Sequence, residues 1–359
     1  MAVEHIKKLQ RKGLQLCCMV PDDNQKLMAT LDQAGIAWQP HDVRHQKLEI
    51  LHAFFNLALR ARAARLLKDL AARFDDIVLI QGDIELGSVF VNMAAQQKLD
   101  VISYIPYAHS FRKMHAKLAG IKDALGAVAY RRCTRYITIS ECFADDLRRW
   151  NPKARVRVLP NFVAPPPVAE IRGVGYHFTP RADTLRILMP GRVSFRQKGQ
   201  DVLMEALKRL AGLPIAIEVV VAGDGPDLAA LKAQAATLPA SIKVTFLGWV
   251  NPIWEYAYDV DFIVIPSKYE GVPLVMLEAQ KRHIPIIASR RDGMKDYLDA
   301  HAIYDVDGPL DESAALAGKI ADYLREQHGI SATQAEARPA SRPAAGATPL
   351  NTPIKEERL

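Results

Sequence analysis

No run of 18 or more apolar residues occurs in the 359-residue chain, so no segment is long enough to cross a bilayer as an apolar helix. The first residues, Met1 to Lys8, lack the apolar centre of a secretion signal, and export is not expected. Cysteine is scarce. Cys17, Cys18, Cys133 and Cys142 fit neither zinc-ligand nor redox spacing, which argues against a disulfide framework and for reduced thiols in the cytoplasm. Aromatic residues are only 7% of the chain and do not interleave with the basic ones, so stacking platforms for single-stranded nucleic acid are missing and nucleic acid is not an expected partner.

What is present is apolar mass, 49% of residues, enough at this length for two medium-sized cores. The net charge of +7 is unevenly spread. Through Ala164 there are 25 Lys and Arg against 16 Asp and Glu, a balance of +9, and the remainder carries −2. A basic first half suits an anionic membrane, a phosphorylated acceptor or nucleic acid, and charge alone does not choose among them.

The pattern predicts a helix over Val3–Lys12 ended by Gly13, a strand over Leu14–Val20, a turn at Pro21–Asn24, a helix over Gln25–Gln33 and one long helix over Lys47–Phe74. Strands follow at Ile77–Ile80, Val101–Ile105, Tyr136–Ile139 and Arg155–Leu159, with helical segments between them. Pro160 to Thr184, with Pro165-Pro166-Pro167, reads as a linker. A second alternating series has strands at Leu185–Met189, Ile217–Val221, Ile242–Leu247, Phe262–Ile265 and Pro285–Ala288 and a helix at Gln200–Leu210. From Ser331 the composition is that of a disordered tail. Alternation of strand and helix means βαβ units and mostly parallel sheets, hence two α/β domains.

Four loops of the second series sit after strands, where open α/β sheets bind ligands. Pro190 to Gly199 carries Arg192 and Lys198, a planar fork and a point charge suited to a diphosphate, with Gly191 and Gly199 allowing close backbone approach. Gly223-Asp224-Gly225-Pro226 is a tight turn. In Phe246–Val250, Gly248 either lets a flat nucleobase lie on backbone, with Val250 alongside, or serves packing alone. The fourth stretch, Pro266 to Glu278, opens on a turn at Gly271 and passes through Pro273 into a helix ending near Lys281. The N–H groups of Gly271, Val272 and Leu274 suit an anion at a helix start. Glu270 precedes the helix, and Glu278 lies five residues into it, roughly 7 Å along the axis, so a diphosphate spans the interval between them. Asp259 and Asp261 precede a strand at its amino end and read as a turn rather than a metal site.

Gly191-Arg192, Lys198-Gly199, Gly223-Asp224-Gly225-Pro226, Phe246-Leu247-Gly248 and Glu270-Gly271-x-Pro273…Glu278 together resemble the family 4 retaining glycosyltransferases of GT-B fold. The likeness is tight over Leu185–Leu298 and looser in the first half, at Ser140 and at Leu159-Pro160-Asn161-Phe162. It implies two Rossmann-like α/β domains facing across a cleft: an acceptor-side domain over 1–164 that lacks its first strand, a linker over 165–184, a nucleotide-sugar-binding domain over 185–330 and a tail over 331–359. It implies a UDP-, GDP- or ADP-linked sugar donor, a glycan or lipid-linked acceptor, retention of anomeric configuration and no cofactor. Arg192 and Lys198 would stabilise the departing diphosphate, Glu278 would bind the ribose, and Glu270 would hold the sugar. His109, after the Val101–Ile105 strand, resembles the histidine that contacts the sugar. Two cations and a helix start neutralise a leaving diphosphate without metal.

Cell-envelope polysaccharide or lipopolysaccharide synthesis is the expected setting, in the cytoplasm at the inner face of the membrane. Two basic, partly apolar stretches, Lys47–Phe74 and Phe111–Lys117, predict peripheral attachment to anionic lipid. A non-catalytic glycosyltransferase-like protein remains the alternative.

Overall fold

The structure is a computed structural model that describes residues 2–330; the expected tail over 331–359 lies outside the described residues. The chain divides into two compact units, Met1–Phe162 and Val163–Leu359.

The first unit runs α1 (Ala2–Arg11), β1 (Cys18–Pro21), α2 (Gln25–Gln33), β2 (Trp38–His41), α3 (Glu49–Phe55), α4 (Leu57–Arg73), β3 (Ile77–Ile80), α5 (Ser88–Gln96), β4 (Val101–Tyr104), α6 (Ala119–Arg132), β5 (Arg135–Thr138), α7 (Glu141–Trp150) and β6 (Arg155–Val158). Its strands form two sheets, a parallel pair β1-β2 and a parallel four-stranded sheet β3-β4-β5-β6. The strand predicted over Leu14–Val20 is correct only at its end, because pairing with β2 begins at Cys18. The single helix predicted over Lys47–Phe74 is corrected to two. Asn56 leaves helical geometry (φ −89°, ψ 98°) and its side chain accepts a hydrogen bond from Leu59 N at 3.0 Å, capping α4 afresh. An N-cap of this kind satisfies one of the donors a helix start leaves open.

The second unit runs β7 (Thr184–Pro190), α8 (Phe195–Lys198), α9 (Gln200–Arg209), β8 (Ala216–Ala222), α10 (Leu228–Ala235), β9 (Ile242–Gly248), β10 (Phe262–Ile265), α11 (Leu274–Lys281), β11 (Ile286–Ser289), β12 (Ile303–Tyr304) and α12 (Glu312–His328). All six strands are parallel, in the order β12-β11-β10-β7-β8-β9. This is the doubly wound order, with its reversal between β7 and β10. Phe262–Ile265 and Ile286–Ser289 are buried at every position, as strands covered on both faces must be. No helix was predicted after β11, yet α12 puts Leu316, Ile320 and Leu324 into the core beside Leu203, Leu207 and Phe262. Residues 165–184, expected as a linker, are held to this unit. Arg172 is buried and donates to the carbonyls of Ala257 (3.1 Å), Tyr258 (3.2 Å) and Val260. Burial lowers its pKa to about 10.

Candidate functional site

At the reversal between β7 and β10 two loops leave the sheet side by side, because β10 pairs β7 through Phe262–Ile187 and Ile263–Leu188. The crevice outside the carboxyl ends of strands at such a point is where doubly wound sheets take ligands. The segment after β7 holds Gly191 and Arg192 in its loop and Lys198 on the one-turn helix α8, and the loop after β10 holds Glu270, Gly271 and Val272. Lys268 N donates to Gln197 O at 2.8 Å, which ties the two loops together.

Backbone proximity explains the glycines. A Cβ on Gly199, which also has φ +65°, would run into the Pro266 carbonyl oxygen, and one on Gly223 would run into that of Gly191. Gly191 N donates to Ala222 O at 2.9 Å and Val193 N to Asp224 O at 3.0 Å, so the loop after β7 lies along the loop after β8. Gly248 follows on β9, in register with Ala222. The four loops predicted to converge from Pro190–Gly199, Gly223–Pro226, Phe246–Val250 and Pro266–Glu278 are therefore neighbours at one end of one sheet.

Within this crevice Lys198 Nζ is bonded to Glu270 Oε2. The Glu270 side chain is buried (7% exposed) and that of Lys198 partly so (22%). Ser267 Oγ also approaches Glu270 Oε2, at 3.4 Å. Lys198 does not stand in a loop, as expected, but closes the one-turn helix α8. Arg192 is exposed; its carbonyl accepts from Gln200 Nε2 at 2.9 Å while Gln200 Oε1 accepts from Ser194 N at 3.1 Å, fixing the loop from beneath. Glu278 is on α11, whose first helical residue is Leu274 with Pro273 as N-cap. Its Oε2 accepts from Trp254 Nε1 at 3.0 Å. Val250 lies on the segment leading from β9 to the turn that carries Trp254. Asp259 is ion-paired with Arg186 and Arg181, and Asp261 accepts from Arg186 N at 2.7 Å; both sit at the amino end of β10, away from these loops.

His109 belongs to the first unit, five residues past β4. Its side chain is wholly enclosed (0% exposed), with Nδ1 3.7 Å from Asp146 and its ring 4.8 Å from that of Phe143. A cavity of about 400 Å³ beside it is lined by Ser110, Lys113, Asp146, Arg149 and Trp150.

Residues 1–165 match the family described as Glycosyltransferase Family 4, and residues 178–340 match Glycosyl transferases group 1. The chain belongs to the family 4 glycosyltransferases. This glycosyltransferase chain is 35% identical over 109 residues to the UDP-Gal:alpha-D-GlcNAc-diphosphoundecaprenol alpha-1,3-galactosyltransferase of Escherichia coli, a match to 29% of this chain and 28% of that protein. It is 30% identical over 154 residues to the lipopolysaccharide 1,6-galactosyltransferase of Salmonella typhimurium, covering 40% of this chain and 42% of that one. The matched segments thus span less than half the length of either relative. Among solved structures it resembles the apo form of the lipopolysaccharide outer core galactosyltransferase WaaB (TM-score 0.62, 17% identity, 86% of this chain and 80% of that one). It also resembles Anabaena HepE in complex with UDP and glucose (TM-score 0.60, 16% identity, 89% and 83%). These likenesses show the GT-B fold.

Several residues that shape this crevice were not singled out from sequence. Asp292, at φ +50°, accepts from Glu270 N at 2.8 Å; Ser289 Oγ donates to Ser267 O at 2.7 Å and Arg291 Nη1 to Lys268 O at 3.1 Å. All three lie on or just after β11, so a second strand end clamps the Glu270 loop. The available signal was the Asp292-Gly293 pair following a buried strand. Gly293 must be small there, since a Cβ would sit 2.6 Å from Gly271 O.

Proposed function

We propose that this chain transfers a hexose from a nucleotide-diphosphate donor, UDP-linked before GDP- or ADP-linked, to a glycan or lipid-linked acceptor in cell-envelope polysaccharide or lipopolysaccharide synthesis. The observation that carries the reading is the charge arrangement at the β7/β10 switch point: Arg192 and Lys198 on the segment after β7, Glu270 on the loop after β10, and the α11 start between Glu270 and Glu278. In this scheme Arg192 and Lys198 stabilise the diphosphate as it leaves. An ammonium has three donors, so Lys198 bonds phosphate oxygen while keeping Glu270. Glu270, with the N–H groups of Gly271, Val272 and Leu274, holds the sugar and distal phosphate. Glu278 takes the ribose hydroxyls, and Gly191, Gly223, Gly248 and Val250 give the base and phosphates close approach to backbone. The relatives that name a UDP-linked sugar, or hold UDP, support the choice of nucleotide.

We extend the proposal to retention of anomeric configuration, on the resemblance of the motifs to the retaining family, and to independence from metal, because preorganised cations and a helix start stabilise developing diphosphate charge by themselves. Incubation with UDP-hexose and a lipid-linked glycan acceptor tests it: the product should carry the donor's anomeric configuration by NMR, at a rate unaffected by a chelator. An inverted product, or a rate that collapses with chelator, overturns these two parts.

A second reading, a glycosyltransferase-like protein without turnover, rests on one observation. In the first unit β1 and β3 each pair on one side only, and Val78 and Ile80 on β3 are 48% and 56% exposed, an unusual state for an apolar strand of a parallel sheet. Measured turnover of the wild-type chain disposes of that reading.

We propose finally that the first unit rests on anionic lipid. Phe55 and Leu57 at the α3–α4 junction are 72% and 75% exposed, and Leu118 and Ile121 at the start of α6 are 51% and 53% exposed. Arg132, at the other end of α6, lies 5.0 Å over the Phe54 ring, so the two elements meet at a basic corner. Exposed apolar side chains among Arg and Lys are what an interfacial surface needs.

A further inference from the structure

Glu278 has three rotatable side-chain bonds and sits in the second turn of a helix at the rim of the crevice. A carboxylate that must meet two ribose hydroxyls gains from being held in one rotamer before the ligand arrives, since the ordering cost is then met in advance. Trp254 supplies the hold. It is buried, and its only hydrogen-bonding atom, the indole N–H, is aimed at Glu278 Oε2 at 3.0 Å. The indole is fixed in turn. The Arg282 guanidinium lies 4.4 Å over its ring, and Arg282 Nε and Nη2 donate to Glu170 Oε2 at 2.9 and 2.6 Å. Arg282 Nη1 also reaches the Glu278 carbonyl at 3.3 Å. Glu170 stands in the Val168–Glu170 turn, on the stretch that precedes β7. Arg172 N donates to Arg282 O at 3.0 Å, binding that stretch to α11 a second time.

We infer that Trp254 is the positioning residue of the nucleoside subsite: its N–H holds one oxygen of Glu278 so that the other oxygen faces the ribose diol, and the Glu170–Arg282 pair holds Trp254. The inference rests on the assignment of Glu278 to the ribose made above. An indole buried only to fill the core would lend the ligand nothing specific to its hydroxyls. Trp254 as a positioning residue makes the affinity increment from the ribose hydroxyls depend on an N–H that never touches the nucleotide.

Dissociation constants of the full chain for UDP, GDP and ADP, each beside its 2′,3′-dideoxy form, test this by calorimetry. For the nucleotide that binds, Glu278→Ala should abolish the preference for the hydroxylated form. Trp254→Phe, which keeps a ring under Arg282 but removes the N–H, should weaken the hydroxylated form about fivefold to tenfold, the size of one hydrogen bond, and leave the dideoxy form unchanged. Glu170→Gln should give a smaller loss of the same selective kind, and it decides the matter if Trp254→Phe does not fold. Equal weakening of both forms by Trp254→Phe makes Trp254 a packing residue and overturns the inference, as does full retention of the preference in either variant. Failure of Glu278→Ala to change the preference, or binding of none of the three nucleotides, instead overturns the ribose assignment on which the inference rests.

Discussion

Lys198 and Glu270 hold opposite charges in contact, and the ammonium retains donors for a second partner. A group placed where diphosphate charge develops contributes most to the leaving step, so Lys198→Ala should lower kcat/KM for transfer by about 100-fold or more. Steady-state kinetics at fixed acceptor measure it, and a variant at full rate would remove Lys198 from the site. Elsewhere a single carboxyl sets a pH dependence. Burial raises the pKa of Glu49 above its ordinary 4.5, against the hydrogen bonds it accepts from His45 and Gly87. A carboxyl raised on folding favours the fold below 4.5 and withdraws that stability as pH rises through the raised value. Glu49→Gln lacks this slope, so the thermal midpoint of the variant should gain on wild type between pH 4.5 and pH 7; a constant difference contradicts it. At this scale the sequence showed Arg192, Lys198, Glu270 and Glu278, because each falls at a fixed spacing from a glycine or proline after a buried strand. Trp254 and Gln200 were invisible, since their partners lie 24 and 8 positions away across loops whose packing no local spacing encodes.

Secondary elements were legible where one force dominated. Ile77–Ile80 and Phe262–Ile265 are unbroken apolar runs and appear as predicted. Gln25–Gln33 also appears as predicted, with Asn24 as its cap. The Lys47–Phe74 prediction failed at Asn56, whose side chain bonds the backbone of the next turn and so starts a new helix in place of continuing the old one. The α12 helix was missed although Asp311 caps it, accepting from Ala314 N at 2.9 Å. The element that most directly shapes the site is the α8–α9 corner, whose Gly199 lies against the Pro266 carbonyl. Adding a methyl there forces backbone apart at a positive φ, so Gly199→Ala should cost about 1–3 kcal/mol. A denaturant midpoint unchanged in that variant would show that the corner is looser than the structure has it.

For the whole molecule, two compact α/β units and the division of charge, +9 through Ala164 and −2 beyond, were readable from composition and alternation. The split of the first unit's strands into two sheets was not, because strand pairing is a long-range choice that short apolar runs do not specify. No helix among the described residues is long and apolar enough to cross a membrane. The lipid contact proposed for the first unit rests on surface groups such as Phe55 and Leu57. Co-sedimentation with liposomes should rise with anionic lipid content and fall as salt is added, with a further loss for the Phe55→Ser, Leu57→Ser double variant. Binding indifferent to anionic lipid would rule this surface out.

On the function proposed above, the switch point of the second unit is built to hold a nucleotide-diphosphate sugar. Thermal unfolding of the full chain with UDP-, GDP- and ADP-linked hexoses tests it most directly, because a ligand at one hundred times its Kd stabilises the folded state by about 2.7 kcal/mol. At least one donor should raise the midpoint by several degrees, and Lys198→Ala should remove that rise. No shift with any of the three, or a shift undiminished in Lys198→Ala, would contradict the account.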